Sequence, residues 1–348
     1  MATQSNLKKS LVDVPVMLYV FIRPDSIKRV FDVIKEARPS TLFLASDGPR
    51  DNVPTDKEKI AASRKVVEEI DWDCTVHKLY YDKNQGMYEM FKNTGDFVFK
   101  HVDRCILLED DTIPAVSFFK YCEVLLEKYK DDLRIGNING MNHLGVYEKP
   151  NTDYFFSKGG SIWGFAIWRR TYESFYDLSY GDDDYVMERL LENAKDYKQY
   201  CKSLKDCYEI GTHDGHVPGF EFFLGLYTYS QNKLNIVPTK NMMCNIGYGE
   251  GSTHNPGELK QSVKRIQKLY NMKRYELEFP LKHPKYVIED IYYEKKVNRI
   301  MGRDKDVYIY RFFEGTARQF IYGSKKKILI GLVKRVFLIN LIKKLLGK

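Results

Sequence analysis

Val14 to Ile22, VPVMLYVFI, is an unbroken apolar run rich in β-branched and aromatic residues. Such a run suits a strand buried on both faces, and a strand of that kind needs helices on each side of its sheet. The sequence supplies them. After Arg23-Pro24-Asp25, residues Ile27, Val30, Phe31 and Ile34 follow helical spacing, with Pro24 and Asp25 marking the start. Thr41 to Ala45 reads as a strand running into the turn Ser46-Asp47-Gly48-Pro49-Arg50. Lys57 to Ile70 reads as a helix, Cys74 to Tyr81 as a strand, Met87 to Val102 as a helix and Cys105 to Leu108 as a buried strand. The alternation predicts an α/β protein with a mostly parallel, Rossmann-like sheet flanked by helices. Ligands of such sheets gather at the carboxyl ends of the strands. A composition of 43% hydrophobic and 29% charged residues excludes a disordered or fibrous chain.

The charge balance narrows the partners. The 55 Lys+Arg exceed the 47 Asp+Glu, which by itself suggests an anionic partner. Eight of those cations lie in Ser324 to Lys348, which contains no acid, so the rest of the chain is balanced at 47 against 47. A basic nucleic-acid-binding globule is therefore not expected.

Three strand ends carry candidate chemistry: Arg23 after the first, Asp47 after the second, and Glu109-Asp110-Asp111 after CILL. Three consecutive carboxylates at the end of a buried strand repel one another unless a cation or hydrogen-bond donors neutralise them. A hard divalent ion, Mg²⁺ or Mn²⁺, suits that site and would also hold substrate phosphates. The plainer alternative is a solvated strand end with Asp111 near the next helix N-terminus.

The order of motifs resembles a known family. ILLEDDTIPAVSFF is similar to the metal-motif strand and following helix of GT-A-type inverting glycosyltransferases, particularly N-acetylglucosaminyltransferase I-like and family 2-like enzymes. VPVMLYVFIRPDSIKRVFDVIKEARPS resembles their opening strand and helix, and SDGPR at 46–50 the turn that faces the nucleotide base. Bacterial sugar-transfer proteins look closer still, sharing D-W at 71–72, N-x-G at 84–86, W-G at 163–164, N-I-G-Y-G at 245–249, T-H at 253–254 and F-P-L-K-H-P at 279–284. The resemblance covers roughly residues 14–290. It implies that Arg23, Asp47 and Asn84 contact a nucleotide, Asp110 a ribose hydroxyl and Glu109 the transferred sugar. Asp111 would ligate the metal, with His254 as a further ligand.

An inverting transfer also needs a base for the acceptor hydroxyl. Glu221, at the start of the expected helix within 215–234, stands where the family usually has Asp, and Asp214 in T-H-D-G-H is the alternative. A capping charge is the plainer reading of Glu221. Trp163 and Gly164, in KGGSIWGFAIWRR, would stack on and approach a sugar, or serve as core and turn. His213 and His216 form an H-x-x-H too weak to define a zinc site, and Asp182-Asp183-Asp184 reads as helix capping.

The tail, residues 325–348, alternates cationic clusters with apolar stretches too short to span a bilayer. It reads as an amphipathic helix on an anionic membrane surface, or as one that docks on protein. The N-terminus lacks an apolar signal core, and the six scattered cysteines lack a C-x-x-C pair. Both features point to reduced thiols and a cytoplasmic protein peripheral to the inner face of the membrane.

The expected organisation is an N-terminal extension (1–13), a nucleotide-sugar-binding half (14–112), an acceptor-binding half (113–290), a helical connector (291–324) and the basic tail. The expected function is metal-dependent, inverting sugar transfer from a nucleotide diphosphate donor, UDP-linked by family likeness, to a hydroxyl of a glycan or lipid-linked glycan, as in bacterial surface polysaccharide synthesis. The alternatives are a sugar nucleotidyltransferase and a non-catalytic, membrane-tethered glycan-binding protein.

Overall fold

The computed structural model describes residues 7–175, 220–249 and 258–301 with positions 183, 185, 188, 189, 314, 317 and 321. The described residues of 7–247 and 270–297 form one unit, and those of 248–269 and from 298 onward form another. The candidate site described below lies in the first.

The opening apolar run becomes β1 (Val16–Val20), and its continuity follows from burial on both faces. Helix α1 (Pro24–Ala37) begins with Pro24 in its first turn, where the missing N–H is no loss. Its stripe of Ile27, Val30, Phe31 and Ile34 is buried, and it ends at Arg38, whose left-handed backbone donates its N–H to the Ile34 carbonyl. There follow β2 (Thr41–Ser46), α2 (Asp56–Val67), β3 (Thr75–Tyr80), α3 (Met87–His101) and β4 (Arg104–Leu108), each within a few residues of the pattern read from sequence.

The second half adds β5 (Thr112–Pro114), α4 (Ser117–Lys128), β6 (Ile135–Asn139), β7 (Tyr154–Ser157), β8 (Phe165–Trp168) and α5 (Arg169–Phe175). Then come α6 (Phe220–Ser230), β9 (Leu234–Pro238), β10 (Met243–Asn245) and α7 (Ile291–Met301). Eight strands form one sheet in the order β3-β2-β1-β4-β8-β6-β9-β7, with β10 and β5 as a separate antiparallel pair. The pairings make β7 and β8 antiparallel to their neighbours, so six of the eight strands run the same way. The expected α/β architecture, a mostly parallel sheet flanked by helices, is present. Among the described residues no helix is long and apolar enough to cross a membrane.

Strand alternation sends Met17, Phe43, Cys105, Leu107, Phe165 and Ile167 into one core with Met90, Val98 and Phe99 of α3, Tyr172 of α5, and Phe223, Leu224 and Tyr227 of α6. The alternate residues, including Leu18, Leu44, Ile106 and Leu108, are equally buried. Each such aliphatic or aromatic side chain contributes about 1.5–3 kcal/mol relative to exposure. Trp72, of the D-W pair, is also core and donates its indole N–H to the Pro39 carbonyl at 2.8 Å. Of the described thiols, Cys105 and Cys122 are buried while Cys74 and Cys244 are partly exposed, and none is bonded to another cysteine.

Gly95 sits inside α3, where glycine costs up to about 1 kcal/mol relative to alanine. A methyl group there would strike the Tyr172 ring, whose hydroxyl lies 2.6 Å from Asp96 Oδ1 and 2.7 Å from the Lys92 carbonyl. The ring is held by its hydroxyl and stacked on Phe99, with centroids 4.9 Å apart, so it has little room to yield. Gly95→Ala is therefore expected to destabilise the protein by roughly 1–2 kcal/mol despite its better helix propensity, since overpacking outweighs it. Urea unfolding should show a lower midpoint with an unchanged slope; a higher midpoint would refute this packing account.

Candidate active site

The parallel strands deliver their polar groups to one edge of the sheet. Arg23 follows β1, Asp47 follows β2 and Glu109-Asp110-Asp111 follows β4, which pairs directly with β1. Arg23 Nη1 donates to Asp111 Oδ2 at 2.5 Å, and Nη2 lies 3.4 Å from Asp110 Oδ1. Asp110 and Asp111 are only 5% and 7% exposed. Their other oxygens, Asp110 Oδ2 and Asp111 Oδ1, are buried with no hydrogen-bond partner, as is Arg23 Nε. Buried carboxylate oxygens without partners are costly, because the solvation they lose is not replaced.

Titration behaviour follows from this crowding. Burial pushes the Asp110 carboxyl up to about 7; Arg23 opposes the shift and the Asp111 charge adds to it. Burial also holds Glu109 well above the usual carboxylate range, and the charges of Asp111, Asp110 and Glu221 raise it further. Glu221, exposed in the first turn of α6, is thus brought into electrostatic range of Glu109, more than a hundred residues earlier in the chain. Helix α6 is held there by Phe223, Leu224 and Tyr227 in the core.

The β5–β10 pair closes the cluster. Asn245 is in register with Thr112, the Ile246 N–H donates to the Asp111 carbonyl at 2.9 Å, and the Gly247 N–H donates to Asn245 Oδ1 at 2.8 Å. A Cβ at Gly247 would collide with Asp111 Oδ2 and lie 3.0 Å from Arg23 Nη1. The first glycine of N-I-G-Y-G is therefore fixed by close approach of the backbone to the ion pair. His254, Asp214, His213 and His216 lie outside the described residues.

Asp47 organises a second loop. Its Oδ1 accepts the N–H groups of Gly48 and Gln85, both at 2.8 Å, and its Oδ2 accepts Asn84 Nδ2 at 2.9 Å. Burial raises the Asp47 carboxyl, and the N–H groups of Gln85, Gly48 and Gly86 oppose that shift. Asn84 also donates to the Gly48 carbonyl at 3.1 Å, and a Cβ at Gly48 would run into the Lys83 backbone. The turn at 46–50 and the loop at 82–86 are locked face to face. Sequence reading missed the clamp that holds them: Arg64, on α2, reaches Ser46 Oγ at 2.9 Å and the carbonyls of Tyr81 and Asp47 at 2.7 and 3.2 Å.

Because β8 runs antiparallel to β4, the residues before it stand beside the end of β4. These are Trp163, half-buried with its ring 5.0 Å from that of Tyr270, and Gly164, at φ 67° against Met243. Asn139, at the end of β6, also went unread; its Oδ1 accepts the Ser161 N–H at 2.8 Å and fixes this loop.

Among the described residues no group of three His, Cys, Asp or Glu side chains is placed to hold an ion on its own. The unpartnered oxygens of Asp110 and Asp111 fit instead an ion of the Mg²⁺ class, which takes one or two carboxylates and completes its shell with water and substrate phosphates.

No family model and no curated protein matches the sequence. Among solved structures, the apo form of mouse xyloside xylosyltransferase 1 is similar at 14% identity over 65% of this chain and 85% of that one, with a TM-score of 0.36. UDP-glucose pyrophosphorylase complexed with UDP-glucose is similar at 11% identity over 70% of this chain and 96% of that one, with a TM-score of 0.35.

The raised Asp110 carboxyl has a linkage consequence. The folded protein keeps this proton up to about pH 7, whereas an unfolded Asp loses it near about pH 3.9. Between those values the folded state binds the extra proton, so stability falls as pH rises. In chelator-treated protein, thermal melts should show this decline from pH 4 to 7, and Asp110→Asn should flatten it and raise stability at pH 7. An unchanged slope in the variant would contradict the assignment.

Proposed function

We propose that the chain uses a nucleotide-sugar donor and, specifically, that it is an inverting glycosyltransferase acting on a hydroxyl of a glycan or lipid-linked glycan. The observation that carries this reading is the pair of unpartnered buried oxygens on Asp110 and Asp111 beside Arg23, with Glu221 within electrostatic range of Glu109. A site so short of positive charge is built to receive a cationic ligand or one that brings a cation with it.

In this reading Asp111, with Asp110 beside it, holds Mn²⁺ or Mg²⁺ together with the donor diphosphate. When bound, the ion offsets the negative charge that develops on the leaving diphosphate. Arg23 steadies the two carboxylates, and Gly247 leaves room for that arrangement. Asp47 accepts from a base N–H, within a loop already set by Asn84, Gln85 and Arg64. Trp163 offers an aromatic surface next to the strand end, and Glu109 faces the sugar. Glu221 accepts the proton of the attacking hydroxyl. His254 as a further metal ligand, Asp214 as a substitute base and residues 325–348 as an anchor on the inner face of the membrane belong to the same proposal.

The chain passes from β1 straight into α1 through Phe21-Ile22-Arg23, with no glycine-rich phosphate loop. A nucleotidyltransferase would need such a loop to bind a triphosphate. Incubation with UDP-sugars, Mn²⁺ and free or lipid-linked glycans should release UDP in step with acceptor elongation. Glu221→Gln should lower turnover by about 100- to 10,000-fold while leaving nucleotide binding intact. Undiminished turnover would remove Glu221 as the base, and UTP formation from UDP-sugar and pyrophosphate would replace the transferase reading.

A further inference from the structure

The far edge of the sheet, where β9 and β7 end, carries a surface that the proposed reaction does not use. Among the described residues eleven large apolar side chains are exposed, and five of them fall between residues 279 and 292: Phe279 (38%), Tyr286 (63%), Ile288 (68%), Ile291 (58%) and Tyr292 (51%). Exposed apolar residues gathered within one short segment, unlike those scattered singly, point to an interaction site.

Cations accompany it: the acids of segment 279–296, Glu289, Asp290 and Glu294, are partly buried, whereas its four lysines are exposed. Lys149 and Lys296 converge on one ring, with Nζ atoms 4.2 and 4.8 Å from the Tyr292 centroid, and Lys296 also lies 5.7 Å from the Tyr147 centroid. These residues line an open cavity of about 520 Å³, in which Glu148 is the one acid. Lys285 stands 5.2 Å over the Tyr286 ring, and Lys282 and Lys295 are exposed nearby in sequence. None of these five ammonium groups makes an ion pair among the described residues. Tyr147, by contrast, is fixed from beneath, donating its hydroxyl to Asp290 Oδ2 at 2.9 Å.

We propose that this face, formed by residues 279–296 with Lys149, docks on an anionic phospholipid bilayer. Unpaired lysines answer the negative headgroups, and the cavity between Lys149 and Lys296 admits a phosphate. Ile288, Ile291 and the two exposed tyrosines enter the boundary between headgroups and acyl chains, where amphipathic rings and lysine stems are both favoured. A soluble anionic glycan would account for the lysines but not for the isoleucines. The inference concerns residues other than the carboxylate cluster and does not depend on the glycosyl-transfer reading.

The test uses the full chain, tail included, with vesicles of equal parts phosphatidylglycerol and phosphatidylcholine, and with phosphatidylcholine alone. Co-sedimentation should require phosphatidylglycerol, and the double variant Lys149→Gln, Lys296→Gln should weaken it by roughly thirtyfold, since two surface cations are lost. In a second arm, Ile288→Trp should show a blue-shifted emission that brominated lipids quench. Both changes are at exposed positions, and unchanged circular dichroism and melting would establish that the variants fold. Equal binding by wild type and the double variant, or absence of quenching, would overturn the proposal. So would loss of vesicle binding in the presence of a soluble uronate oligosaccharide at matched ionic strength, or a concentration-dependent dimer abolished by the same substitutions.

Discussion

The ion pair between Arg23 and Asp111 is the point on which the described site depends. It ties the end of β1 to the end of β4, and it is the only guanidinium bonded to the two buried aspartates among the described residues. One cation against Glu109, Asp110 and Asp111, with Glu221 in range, leaves the edge of the sheet short of positive charge. The shortage can be met by protons, as the raised Asp110 and Glu109 carboxyls indicate, or by a ligand. Holding such an imbalance costs stability, a common feature of functional sites.

The surrounding structure keeps the imbalance in place. Gly247 lies so close to the pair that no side chain fits, and the Ile246 and Gly247 N–H groups fix the β10 end against Asp111 and Asn245. Arg64 binds backbone carbonyls from two strand ends, and Asp47 draws three donors from neighbouring loops. Beneath them lies the aromatic core that seats α3, α5 and α6, and through α6 this packing presents Glu221. Rigidity at the edge therefore comes from long-range packing as much as from local turns.

Much of this was legible in the sequence where the signal was local. The buried strands announced themselves as apolar runs, α1 by its Pro24 start and spacing, and the acid triplet by its place after CILL. Asp47 was visible as a turn residue, but its hydrogen bonds to Gln85 and Asn84 were not, because they join segments nearly forty residues apart. Arg64 and Asn139 carried no signal at all: each binds backbone atoms of other elements, and nothing in KIAASRKVV or IGNIN marks that task. The second half was harder to read because its strands are only three to five residues long and β8 inserts antiparallel between β4 and β6. The exposed isoleucines and tyrosines of 279–292 likewise cannot be told from core residues until their burial is known.

In the proposed function the Asp110–Asp111 edge receives a divalent ion and a nucleoside diphosphate bound together. Calorimetric titration of UDP into the protein with and without Mn²⁺ tests it most directly, alongside Asp111→Asn. UDP affinity should rise when Mn²⁺ is present, and the substitution should abolish this gain. UDP binding that is indifferent to Mn²⁺, or metal-dependent binding that survives in Asp111→Asn, would contradict it.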